Sequence, residues 1–156
     1  MAIAFRDLKN NYPTEQLANR AKLFSQLGGE WPSKVNDPAY ANTCAVRLSI
    51  ALKKSGATLP VKDGIEGNGS PVIFKVQTMG TAMTRLFGPS TWGMSKQPGT
   101  AIKASDLPRF PGIVVYHVGW KDATGHFDLW TGNGFVGNGN FSDIADGMDI
   151  AVWRID

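Results

Sequence analysis

The chain has 156 residues, 42% of them apolar and 19% charged, with 18 glycines, 9 prolines and a formal charge of +3. That composition describes a loop-rich globular protein and excludes a disordered chain or a coiled coil. One cysteine cannot close an intramolecular bridge, so a disulfide scaffold is excluded too. The length fits one domain, residues 1–156, with a real core. No run of Lys or Arg marks a nucleic-acid surface, and no stretch approaches transmembrane length. Residues 1–13 lack the apolar core of a signal peptide, so the chain is expected to be made in the cytoplasm without membrane insertion.

Two short helical patterns come first, "AIAFRDLKNN" and "TEQLANRAKLFSQLGG". In the second, Thr14 is the expected cap, and Glu15 suits the positive end. Leu17, Ala21, Phe24 and Leu27 recur at helical spacing, and Gly28-Gly29 stop the helix. A turn-rich link leads to "NTCAVRLSIALKKSG", residues 42–56. Asn42 or Thr43 can cap this helix, Lys53 and Lys54 suit its last turn, and apolar residues cover more than one face. It reads as a buried central helix.

"KDGIEGNGSP" reads as a loop, "PVIFKVQT" as a strand and "TAMTRLFGPS" as a short helix closed by glycine and proline. The last third reads as sheet: "GIVVYHV", "HFDLW", a returning "FVGNGNF" after the turn "TGNG", and "DIAVWRI". Helices followed by antiparallel strands indicate an α+β fold.

Cys44 falls in the first turn of its helix, where unpaired N–H groups and the positive dipole end favour thiolate. Its own N–H could hold an oxyanion. The competing reading is an inert core thiol. A thiol nucleophile needs a base, and the base needs an orienting group. His126 opens a strand on which His126, Asp128 and Trp130 share one face, while Phe127 and Leu129 point to the core. On the returning strand Phe135 and Phe141 keep core parity, so Asn138 and Asn140 fall on the His126 side. Either asparagine could fix the imidazole tautomer. Asp128 points up the cleft and is a candidate for binding substrate, as are Trp130 and Asn140. His117, inside a β-rich run, reads as structural or substrate-lining. No CxxC or HExxH spacing supports a metal site, and the glycine clusters read as turns rather than phosphate loops.

"LGGEW" ahead of "YANTCAVRLSIAL", then "GIVVYHVGW" and "GHFDLWTG", in that order and separation, resembles the type VI secretion amidase effectors of the fourth family. These are small papain-like hydrolases of the NlpC superfamily. The resemblance runs from about Leu23 to the end. It implies Cys44 as nucleophile and His126 as base, and a third polar residue, often aspartate, after the "LWxG" turn. Here that position offers Asn138, with Asn140 as second choice. The resemblance further implies cleavage of peptidoglycan stem peptides at the γ-D-glutamyl–meso-diaminopimelate bond, with no cofactor and no metal. Delivery would be by the type VI apparatus into the periplasm of a target bacterium, and a cognate immunity protein would plug the cleft. The mild positive charge suits an acidic polymer such as cell wall.

Two other readings stand beside this one. The chain could be a non-catalytic cell-wall or protein-binding module with an incidental cysteine. It could also use the same thiol as an N-acetylmuramoyl amidase or an acyltransferase.

Overall fold

The computed structural model describes residues 2–14, 19–61, 66–67, 70–118 and 125–156. The described residues form four α-helices: α1 (Phe5–Asn11), α2 (Arg20–Leu27), α3 (Cys44–Lys54) and α4 (Val76–Phe87). A two-stranded hairpin pairs β1 (Glu66–Gly67) with β2 (Ser70–Pro71). The main sheet contains β3 (Trp92–Ser95), β4 (Gly112–His117), β5 (Gly125–Trp130) and β6 (Asp149–Arg154). Its order is β3-β6-β4-β5, antiparallel throughout. The α+β expectation holds.

The side-chain alternation read in "HFDLW" holds as well. Leu129, Ile113 and Trp153 lie in one cross-strand row, and with Phe127 they pack against Leu8, Leu48, Met79 and Met83 of the helices. Val114 and Val152 lie in the neighbouring row and face the other way, with Tyr116 and Trp130. That second face is not open to solvent. Leu107, Ile144 and the rings of Phe135 and Phe141 cover it, so every residue of β5 is buried.

Helix α3 is the central element: all nine residues from Cys44 to Leu52 are buried. It packs on β5 at the sheet edge, with α1 beside it. Ser49, buried on this helix, explains why residues 72–75 do not join a strand. Its hydroxyl donates to the Ile73 carbonyl at 3.1 Å and accepts from the Ile73 N–H at 3.0 Å. With both Ile73 backbone groups taken by Ser49, residues 72–75 belong to no strand, and Val76 already begins α4. The strand expected over 71–78 is therefore replaced by this tether and a longer helix.

Three other expectations shift. Helix α2 starts at Arg20 under an Asn19 cap, whose side chain accepts from the Lys22 N–H at 3.0 Å, not at Thr14. Glu15 and Leu17, placed in that helix by the sequence, lie outside the described residues. The returning strand over 135–141 is a loop instead. Its backbone ladders with β5 at one bridge, Trp130 to Phe135, and it ends in a turn of 3-10 helix at Phe141–Asp143. Phe135 and Phe141 consequently pack on the Trp130 side rather than the Phe127 side, while Val136 packs with the helices.

Candidate active site

Cys44 is the first residue of α3 and is 4% exposed. The residue at the cap position, Thr43, makes no side-chain cap bond. Asn42 does that work from one residue further back: its Oδ1 accepts from the Cys44 N–H at 3.2 Å. The same amide donates through Nδ2 to the Gly125 carbonyl at 3.1 Å, bridging α3 to the start of β5. The Cys44 N–H, expected to hold an oxyanion, is thus bonded to the Asn42 side chain.

His126 follows Gly125 on β5 and is 6% exposed. Its Nε2 lies 2.9 Å from Asp128 Oδ2, and the ring also hydrogen-bonds the Cys44 side chain. Burial alone would lower the imidazole pKa, but the hydrogen bonds to Asp128 and Cys44, and the negative charge those groups can carry, push it up to about 9. A carboxylate can only accept, so Nε2 carries a proton and Nδ1 is the ring nitrogen left free to accept one. Tyr116, the cross-strand partner of His126, packs against the ring with centroids 5.3 Å apart.

Asp128 is fully buried and is held by its backbone surroundings. Oδ1 accepts from the N–H groups of Leu129 (2.8 Å) and Gly137 (2.7 Å), and Oδ2 from that of Gly139 (2.8 Å). Three donors plus the imidazole account for the carboxylate's accepting capacity, which makes burial of the group tolerable. The two glycines matter sterically as well. A Cβ on Gly137 would stand 2.7 Å from Tyr12 Oη and 2.9 Å from Asp128 Oδ1, and one on Gly139 would enter the Phe135 ring. So "GNGN", read from the sequence as a turn, is a cradle for a carboxylate.

The match to a family model agrees with this geometry. Residues 40–153 match the model of the type VI secretion system (T6SS) amidase effector protein 4, Tae4. The chain belongs to this family. The Tae4 match spans both the Cys44 helix start and the His126 strand. No curated protein matches the sequence significantly. Among solved structures, the chain is similar to the Tae4 effector of Enterobacter cloacae in its complex with Tai4, at 22% identity and a TM-score of 0.83 over 100% of both chains. It is also similar to the E. cloacae Tae4 effector without that partner, at 23% identity and TM-score 0.82, covering 100% of this chain and 98% of the other. A third likeness is to the Salmonella typhimurium Tae4 effector complexed with E. cloacae Tai4, at 21% identity and TM-score 0.81 over 99% of each. These likenesses establish the papain-like, NlpC-type fold in this Tae4 chain.

Within that fold, the residues singled out from sequence divide sharply. Cys44, His126 and Asp128 are brought together. Asn138, expected to orient His126, is exposed, and its side chain makes no hydrogen bond among the described residues; it sits between the two glycines that serve Asp128. Asn140 is committed to its own turn: its Oδ1 accepts from the Ser142 N–H (3.0 Å) and hydroxyl (2.8 Å), and its N–H donates to Tyr116 Oη (3.0 Å). Neither asparagine reaches the imidazole, because the segment expected to return as a strand is a loop.

Two expected substrate contacts are also withdrawn by burial. Trp130 is fully buried, donates from Nε1 to the Pro108 carbonyl at 2.8 Å, and packs edge-on to Phe135 and Phe141. Asp128 faces the imidazole and the glycine loop rather than the cleft. His117 lies half-buried on the opposite sheet face, in a groove of about 410 Å³ with Val76, Gln77, Gly80, Val115 and Phe127.

Sequence reasoning missed Tyr12 altogether. Its ring is buried in the same core as Cys44, and its hydroxyl has no hydrogen-bond partner among the described residues. Burial first, then the nearby Asp128 and Cys44, push its pKa well above the ordinary tyrosine value. Arg47, one turn along α3, donates to the Pro13 carbonyl at 2.7 Å and to Thr43 Oγ1 at 3.0 Å, and so ties the Tyr12 segment to the helix. No group of three or more His, Cys, Asp or Glu suited to a metal occurs among the described residues. No helix among them is long and apolar enough to cross a membrane.

Proposed function

We propose that the chain is a cysteine amidase of peptidoglycan stem peptides, acting as one catalytic domain over residues 1–156. Cys44 is the nucleophile, His126 the general base and acid, and Asp128 the group that orients the ring. The observation that carries this reading is the 2.9 Å bond from the imidazole to a buried carboxylate, beside a helix-start thiol close enough to the ring to raise its pKa.

His126 takes the Cys44 proton on Nδ1, and a ring whose pKa is pushed up to about 9 holds that proton well at neutral pH. The thiolate, steadied by the positive end of α3, adds to the scissile carbonyl carbon and pushes its π electrons onto oxygen. Collapse of the tetrahedral intermediate breaks the C–N bond as His126 protonates the leaving amine. A thioester remains. Water then attacks it with His126 as base, releasing the carboxylate and restoring the thiol.

The bond we assign is γ-D-glutamyl–meso-diaminopimelate, following the family resemblance. Delivery by the type VI apparatus places the enzyme in the periplasm of a target bacterium, and a cognate immunity protein protects the producer. The Tai4 complexes of the similar Tae4 effectors support that last assignment. Mass spectrometry of purified peptidoglycan digested by the protein, against a Cys44→Ala control, tests the reading. New amino termini on diaminopimelate are expected. Products cut at the N-acetylmuramoyl amide instead would change the bond, and identical products from Cys44→Ala would end the cysteine mechanism.

A further inference from the structure

We propose that Asn42 is a positioning residue: its side-chain amide clamps the Cys44 end of α3 onto the strand that carries His126. The inference rests on the assignment of Cys44 and His126 as nucleophile and base, and deepens it.

Elsewhere α3 meets β5 through apolar contact, including Ala45 and Leu48 against Phe127 and Leu129. Such contact holds two elements together but is non-directional, and it tolerates a slide along the interface. The thiol–imidazole hydrogen bond does not tolerate one, since reacting groups must be held to within about half an ångström. Asn42 supplies direction. Its acceptor takes the N–H of Cys44 itself (3.2 Å), and its donor takes the carbonyl of Gly125, the residue before His126 (3.1 Å). Each bond therefore ends within one residue of a reacting side chain.

Both ends are firmly held. A Cβ on Gly125 would stand 2.8 Å from the Tyr116 carbonyl and 3.1 Å from Val76 Cγ1, so the strand is seated there without slack. Cys44 is the first of nine consecutive buried residues. Only a side chain with one acceptor and one donor on a short planar fork fits this span. Aspartate keeps the cap on Cys44 but sets its second oxygen against the Gly125 carbonyl. Alanine loses both bonds.

The test uses the full chain with Asn42→Ala and Asn42→Asp. Three quantities are measured: kcat and KM on peptidoglycan fragments, Tm, and the rate of Cys44 alkylation by iodoacetamide as a function of pH. Alkylation passes through no oxyanion, so it reports the thiol–imidazole pairing separately from transition-state binding. We expect kcat to fall by about 100-fold in both variants, the loss that an ångström of misplacement produces. KM should stay within about twofold, as for a loss confined to the transition state. The dependence of Cys44 alkylation on pH should differ from that of the wild type in both variants. Asn42→Asp retains the cap and should stay fully folded at the assay temperature, with Tm lowered only by the lost Gly125 bond, which separates the clamp from folding. Full activity in Asn42→Asp would overturn the clamp, leaving a cap alone. A lower kcat with an unchanged alkylation profile would overturn it too, and would move Asn42 to the oxyanion. If the wild-type protein showed no Cys44-dependent hydrolysis, the proposed function would fall, while the alkylation profiles would still decide the clamp.

Discussion

Asp128 Oδ2 meets His126 Nε2 at 2.9 Å across a single i, i+2 step of β5, so one strand supplies both the base we propose and the group proposed to orient it. Strand alternation puts both side chains on the same face, and the loop at Gly137–Gly139 closes over the carboxylate. The expected consequence is that Asp128→Ala lowers kcat by roughly 10³–10⁴, the range for loss of a carboxylate that fixes the imidazole tautomer. Asn138→Ala and Asn140→Ala should stay within a fewfold of wild type. Parallel turnover measurements on the three variants check it. A crippled Asn138→Ala beside an active Asp128→Ala would reverse the assignment.

Gly137→Ala should be as inactive as Asp128→Ala although no catalytic side chain is removed. The new methyl would meet Tyr12 Oη and the Asp128 carboxylate at 2.7 and 2.9 Å, both below contact distance. The loop must withdraw, and with it goes the donor to Oδ1. We expect a Tm loss corresponding to about 1–3 kcal/mol, the usual cost of overpacking a tight site. Thermal unfolding alongside turnover is the measurement, with Asn138→Ala as the neighbour that should change neither.

The His126 pKa gives stability a defined dependence on pH. Its folded value of about 9 lies above the unperturbed 6.5. The folded state therefore binds a proton that the unfolded state has released between those two values. The resulting stabilisation is complete below about pH 6.5 and is lost as pH rises through about 9. Wild-type Tm should fall across that window more steeply than the Tm of His126→Ala. Parallel slopes for the two proteins would show that His126 is not the linked group.

Cys44→Ala should abolish hydrolysis and leave the fold intact, with Tm changed by no more than the loss of one small buried group, about 1 kcal/mol. His126→Ala should match it in activity, and the Cys44/His126 double variant should be no worse, since the two act as one unit. His117→Ala should be milder, because His117 lies in the groove on the other sheet face. Turnover of all four variants decides the point.

Much of this protein is written locally. The Cys44 helix is legible because its stop, its charges and its unbroken apolar run agree, and β4, β5 and β6 are legible because β-branched and aromatic residues alternate between turn formers. The Cys44–His126 pairing also came from sequence, through motif order, since a helix start and a strand start are places where a side chain can reach a neighbouring element. What stayed hidden depends on partners distant in the chain. Residues 72–75 have strand propensity, yet Ser49, 24 positions earlier, takes the Ile73 backbone groups. The "GNGN" segment has turn chemistry, and only the packed loop shows that its N–H groups point at a buried carboxylate. Trp130 looked like a cleft residue because a strand exposes one face unless something covers it; the cover comes from Phe135, Phe141 and Leu107, whose placement no local pattern encodes. Propensity and periodicity act over a few residues and mark the elements. Burial of a charge or a ring is settled by whichever distant groups can satisfy it, and that is decided only when the chain closes on itself.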